Sequence, residues 1–292
     1  MLYKSVCPLL LLCTFFGSVW GETLSSASSA CPSMLLAYVP NRPSDAMTGT
    51  AFTHYAATMD EGQREQAILT ELRAGNLPDF LRNLKPIRLQ HTFKDGEMVT
   101  AIICVTPDYL AIGSNTDFLR IPMNFYTAVA VARHLGFVLP TREMVDAVAQ
   151  QAAYRLRPQP MPPGPRMRSM YYYRRHNSQV AAQRFALKCP LGALVAGHKK
   201  DVVLTNRLLN KPGRIAIYGW HQPSGAPIQP LSTVHGARYA DYSHGVRLVS
   251  HVVFIDGMPW SIYEVLQHPR LGKILSKEGG IRDLKRLMGV ES

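Results

Sequence analysis

The sequence predicts an α+β fold: a helical N-terminal half with a small β-hairpin region, then a strand-rich C-terminal half forming a mostly antiparallel or mixed sheet. Three observations predict it. Helical and strand-like patterns cluster along the chain instead of alternating, which disfavours a doubly wound parallel sheet. Lys94-Asp95-Gly96-Glu97 separates two strand-like runs and carries the Asp-Gly hairpin signal. Beyond Leu194, short apolar runs are punctuated by the turn sequences Asn210-Lys211-Pro212-Gly213 and Asp256-Gly257.

The elements follow in order. Residues 1–21 read as a signal peptide: Lys4 is followed by an apolar run over residues 6–20, and Val19 and Gly21 suit a cleavage site before Glu22. The run is too short for a membrane span, and no later run reaches the roughly 18 apolar residues a span needs. Residues 22–50 are rich in Ser, Pro, Thr and Ala and read as a flexible leader. Residues 51–292 are long enough for a single α+β domain.

Within that domain, residues 57–84 have helical periodicity, interrupted at Gly75-Asn76. Strands are expected at 88–93 and 98–105, with shorter ones at 109–112 and 119–121. Helices follow over 125–135, ended by Gly136, and over 144–156, after Thr141 as N-cap. Residues 157–168 hold five prolines and a glycine and read as a loop. Tyr171-Tyr172-Tyr173-Arg174-Arg175-His176 suits either a stacking clamp for a sugar or base, or the start of an amphipathic helix over 177–187. Strands are expected at 194–196, 202–205, 214–218, 246–249 and 252–255, with short helices at 262–266 and 281–288. The segment 222–234, with three prolines, reads as a stiff loop over a pocket.

Composition bounds the setting. The formal net charge is +12, and the sequence pI is about 9.6. For an exported protein this suits an anionic extracellular polymer, cell wall or lipid headgroups. No nucleic-acid motif appears. Cys31, Cys104 and Cys189 remain after export, so one pair can form and one thiol is left over; spacing does not choose the pair. No CxxC pair is present, which argues against a thiolate zinc site.

Five of the ten histidines fall between His198 and His251. The densest string is Tyr239-Ala240-Asp241-Tyr242-Ser243-His244-Gly245-Val246-Arg247-Leu248. Imidazole titrates near neutral pH, so His221 or His244 is the expected general base, with Asp241 orienting it. His235 and Ser243 are further candidates for catalysis. Adjacent strand residues point to opposite faces, so a nucleophilic Ser243 would use His221 or His235. Arg247 and Lys199 are expected to clamp anions, Tyr239 and Trp220 to stack, and His198 and Asp201 to contact substrate. Three of His198, His221, His235, Asp241 and His244 would also suit zinc with an open position for water.

The string Ser243-His244-Gly245-Val246-Arg247-Leu248 resembles the Ser-His-Gly-Cys-(apolar)-Arg segment of the L,D-transpeptidases, secreted enzymes that cross-link peptidoglycan. Ile215-Ala216-Ile217-Tyr218-Gly219 is similar to that family's strand bearing Ile-His-Gly, with Tyr218 in place of histidine. The resemblance covers about 40 residues. No cysteine follows Gly245, so the family's thiolate mechanism does not carry over. The expected function is a secreted hydrolase or transferase acting on peptidoglycan or another extracellular polymer. The alternatives are a non-catalytic secreted binding protein for anionic glycan or membrane, and a metal-dependent extracellular phosphodiesterase.

Overall fold

The computed structural model describes residues 31–288. The expected signal peptide and the first part of the expected leader lie outside the described residues. From Cys31 onward the chain forms one compact unit. Its elements are α1 (Gly49–Tyr55), α2 (Glu61–Arg73), β1 (Lys85–Thr92), β2 (Met98–Val105), β3 (Ala111–Gly113), β4 (Phe118–Arg120), α3 (Phe125–His134), β5 (Phe137–Val138), α4 (Arg142–Gln151) and β6 (Tyr154–Arg155). They continue with α5 (Met170–Ala186), β7 (Val195–Ala196), β8 (Lys200–Val202), β9 (Ile217–His221), β10 (Pro227–Ser232), β11 (His244–Gly245), β12 (Val249–Ile255), β13 (Met258–Ser261), α6 (Ile262–Gln267), α7 (Gly272–Leu275) and α8 (Leu284–Leu287). The fold is α+β. No helix among the described residues is long and apolar enough to cross a membrane.

Two sheets carry the architecture. The larger has the order β1-β2-β12-β13, with β5 also pairing to β12, and every pair is antiparallel. The smaller has the order β10-β9-β8-β11, antiparallel except for the parallel β8–β11 pair. The expected hairpin forms: β1 and β2 pair from Lys85↔Val105 to Thr92↔Met98. Gly96, at φ +85°, supplies the left-handed residue of the turn. Helix starts follow local chemistry. Asp60 and Gln63 form a capping box on α2, and Asn124, Thr141 and Ser169 cap α3, α4 and α5 with side-chain oxygens.

Four expectations are corrected. The chain does not divide into a helical half and a strand-rich half. Val99, Ala101 and Ile103 of β2 are buried, and this strand finds its second neighbour in β12, about 150 residues away in sequence, since a buried strand needs both edges paired. The segment 222–234 is not a loop: β10 lies there as an edge strand, where Pro227 and Pro230 lack no required donor. Of the two readings of the run from Tyr171 to His176, the helix start holds and the stacking clamp does not: the run opens α5, which begins at Met170 and not at 177. Tyr172, Tyr173 and His176 are buried in it, and only Tyr171, Arg174 and Arg175 face solvent.

The fourth correction concerns the leader. Residues 31–50 are fastened to the domain. Cys31 is bonded to Cys104 of β2, and among the described residues Cys189 is the free thiol. The Arg42 guanidinium donates to Asn76 and to the carbonyls of Ala46 and Gly113. Because the disulfide spans 73 residues, it removes much unfolded-chain freedom. Replacing both cysteines with serine is expected to lower unfolding free energy by about 2–5 kcal/mol, read by urea melts of oxidised wild type and variant. Superimposable melts would show that the bridge contributes nothing.

Candidate active site

The site is built where β8 meets β11. Lys200 pairs with His244 and Asp201 with Gly245, and the Lys200 amide donates to the Ser243 carbonyl at 2.7 Å. This pairing needs glycine at 245. A Cβ there would lie 2.6 Å from a Tyr109 ring carbon and 2.9 Å from Cβ of Lys199. Just upstream, Asp241 folds the chain around its own carboxylate. Its Oδ1 accepts from the Ser243 amide at 2.8 Å and from the Ser243 hydroxyl, and its Oδ2 accepts from the Tyr239 hydroxyl at 3.0 Å. Burial disfavours the charge on Asp241, but the nearby His244 ring and the Ser243 donors outweigh it and hold the carboxyl below its usual range.

His244 is fully buried, and neither ring nitrogen has a hydrogen-bond partner. Its Nε2 lies 4.0 Å from Asp241 Oδ2. Burial pushes the imidazole down to about 4, against the upward pull of Asp241. The ring is therefore neutral at pH 7. Above it, His235 stacks on Tyr239 with centroids 4.2 Å apart, and these rings lie 6.3 and 5.7 Å from His244. His235, Tyr239 and Lys200 are half-buried, so the cluster runs from a partly open rim to a closed floor. Lys200 Nζ sits 4.9 Å from the centre of the Trp220 ring. Trp220 itself has φ +55°, directly after Gly219 at +102°, and its indole nitrogen is buried without a partner. A bulky residue in the left-handed region is strained, and such strain collects at functional sites.

The five histidines of the window do not converge as a group. Only His235 and His244 share this cluster. His198 Nε2 is 3.0 Å from Asp108 Oδ1, in a buried network where Asp108 also meets Arg120 and Arg184 at 2.7 and 3.1 Å. Burial would raise the Asp108 carboxyl, but Arg120 and His198 hold it well below its usual range. His221 Nε2 is 2.9 Å from Asp146 Oδ1, which also accepts from the Tyr218 hydroxyl at 2.7 Å. His251 bonds the Gly136 carbonyl. Asp241 therefore does not orient His221, and Ser243 gives its hydroxyl proton to Asp241, not to a histidine.

The expected anion clamps are also committed elsewhere. Arg247 donates to the carbonyls of Thr106 and Val195, and Lys199 Nζ to the Tyr242 carbonyl at 2.6 Å. Both side chains are buried, and these bonds satisfy main-chain carbonyls away from water. Asp201 accepts from the Tyr109 hydroxyl at 2.8 Å, and burial raises its carboxyl to about 6. Among the described residues, no three His, Cys, Asp or Glu side chains gather as a metal would require. Of the expected zinc donors, His198 and His221 belong to separate clusters, while His235, Asp241 and His244 share one, with His244 4.0 Å from Asp241 and the His235 and His244 ring centres 6.3 Å apart.

Sequence reasoning missed Arg64, Glu65, Asp108 and Asp146, and it named Tyr173 only within the run from Tyr171 to His176. The Tyr173 hydroxyl donates to the Ala240 carbonyl, next to Asp241, and Arg64 lies 5.2 Å from the Tyr173 ring centre. Glu65 Oε1 accepts from the Asn124 amide, and burial raises this carboxyl to about 7. The string Glu61-Gly62-Gln63-Arg64-Glu65-Gln66 looks like a solvated helix, so no local signal marks its buried members. Comparison with known proteins finds no matching family model, no similar curated protein and no similar solved structure.

Two predictions follow from these charges. Asp108→Ala leaves two buried guanidinium groups uncompensated and should cost about 3–5 kcal/mol, measured by denaturant unfolding. A loss below about 1 kcal/mol would place those arginines in contact with water. The second concerns pH. The folded-state pKa of His244 is depressed, so the unfolded chain binds the extra proton as pH falls from about 6.5 toward 4, and stability is lost across that window. His244→Gln should flatten the stability–pH slope there by up to about 1.4 kcal/mol per pH unit. Parallel profiles for the two proteins would contradict the assignment.

Proposed function

We propose that the protein is a secreted hydrolase or transferase acting on a cell-envelope or other extracellular polymer, with His244 as general base and Asp241 as its electrostatic partner. One observation carries the proposal: a buried, neutral imidazole with both nitrogens unspent, beside a fully hydrogen-bonded carboxylate. Structural histidines are normally bonded, because an unpaired buried polar group costs free energy. A neutral imidazole is ready to take a proton from water or a substrate hydroxyl as it attacks. Asp241 stabilises the imidazolium that forms, since its own hydrogen bonds keep it ionised. His244 then returns the proton to the leaving group. Lys200 and the His235–Tyr239 stack form the rim that would hold the polymer, through one cation and aromatic faces, with buried Trp220 beneath Lys200.

The basic net charge suits an anionic polymer, and the resemblance of residues 243–248 to the L,D-transpeptidases points to peptidoglycan.

The test is turnover of purified peptidoglycan and of an anionic polysaccharide, read as soluble fragment release. His244→Gln and Asp241→Asn should each lower the rate about 10²–10⁴-fold while far-UV spectra stay unchanged. Full activity in both variants would refute the assignment. Wild-type binding that falls steeply with salt, without any turnover, would instead support a binding module.

A further inference from the structure

Away from His244, a groove of about 310 Å³ opens between α3, the turn at residues 206–214 and α8. Its walls are apolar: Phe125, Val129, Ala130, Leu208, Leu209 and Leu287 line it. Its rim carries Arg133, Lys211, Arg214 and Arg286, of which Arg286 is ion-paired with Asp283 at 3.9 Å, and among the described residues no aspartate or glutamate lines the groove itself. The hydrogen bonds made by two of these cations do not neutralise them. Lys211 Nζ donates to the Thr233 hydroxyl, and Arg214 donates to the Val234 carbonyl. Both acceptors are uncharged. An apolar concavity with a few convergent polar groups is the usual form of a small-molecule site.

We propose that this groove binds an anionic amphiphile: an apolar chain ending in a carboxylate or phosphate. The chain would lie along Val129, Ala130 and Leu209, where it removes apolar surface from water. The anion would sit between Lys211 and Arg214, where a charge-assisted bond is stronger than a neutral one. The apolar walls discriminate against small hydrophilic anions, and the rim against neutral or cationic chains. The groove also borders the site region, since Ala237 lines it and Gly236 pairs with Arg214. The binding proposal does not depend on catalysis at His244.

The experiment is calorimetric titration of the mature protein with decanoate and decyl phosphate, and with decanol and decyltrimethylammonium as controls. Both anions should bind, and the controls about tenfold or more weaker. Lys211→Glu with Arg214→Glu should weaken anion binding at least about tenfold; both positions are exposed, so folding is not at risk. Ala130→Trp, which fills the groove, should abolish binding. Sedimentation with phosphatidylglycerol vesicles separates a membrane source from a free amphiphile: co-sedimentation lost in both variants supports a lipid ligand, and monomer binding without co-sedimentation supports a soluble one. Equal binding of decanol, binding that survives Ala130→Trp, or no binding of either anion would overturn the proposal.

Discussion

The parallel pairing of β8 with β11 is the constraint on which the site depends. It brings two stretches 40 or more residues apart into register, so that Lys200 lies beside His244 and Asp201 beside Gly245. The pairing is only two residues long at β11, and backbone hydrogen bonds alone would hold it weakly. Contacts on its faces make it specific. Gly245 lets the Tyr109 ring close over the junction, Tyr109 passes its hydroxyl proton to Asp201, and the Arg247 guanidinium sits 4.6 Å from the centre of the same ring. The left-handed bend at Gly219 and Trp220 then turns the neighbouring strand so that the indole meets Lys200.

The molecule buries many ionisable groups, and it handles nearly all of them in one way. Asp108 is paired with Arg120 and Arg184 and hydrogen-bonded to His198, Asp146 is hydrogen-bonded to His221 and the Tyr218 hydroxyl, and Asp201 accepts from the Tyr109 hydroxyl. Lys199 and Arg247 are spent on main-chain carbonyls. Buried charge without a partner is expensive, so each group has local compensation. His244 departs from this pattern. Its carboxylate neighbour is already saturated by Ser243 and Tyr239, which leaves the imidazole with an electrostatic companion and no hydrogen bond. That contrast within one structure, more than the count of histidines nearby, singles out the site.

Parts of this were legible in the sequence for physical reasons. The β1–β2 hairpin, the helix starts at Asn124 and Thr141 and the Asp256-Gly257 turn are local events, governed by residues a few positions apart, whereas the start of α5 at Ser169 lies ahead of the helix expected from 177. Tyr239, Asp241, Ser243 and His244 are also identifiable, because the turn that holds them is built from contiguous residues. Long-range pairing was not legible. Nothing in the sequence of β2 names β12 as its neighbour, and nothing near His221 names Asp146, which comes from α4. Histidines close in sequence were therefore read as one site, although alternation and strand order send them to different carboxylates. Arg64 and Glu65 were hidden by the opposite effect: a polar helix segment whose burial is decided only when α2 packs beside α3 and α5.

The protonation state of His244 is the property on which the functional reading turns. It can be followed directly by nitrogen-15 chemical shifts of the histidine rings during a pH titration of the folded mature protein. The expected result is a neutral His244 ring at pH 7 and a titration midpoint near 4. A midpoint at the ordinary value of about 6.5 would contradict the buried, unspent base.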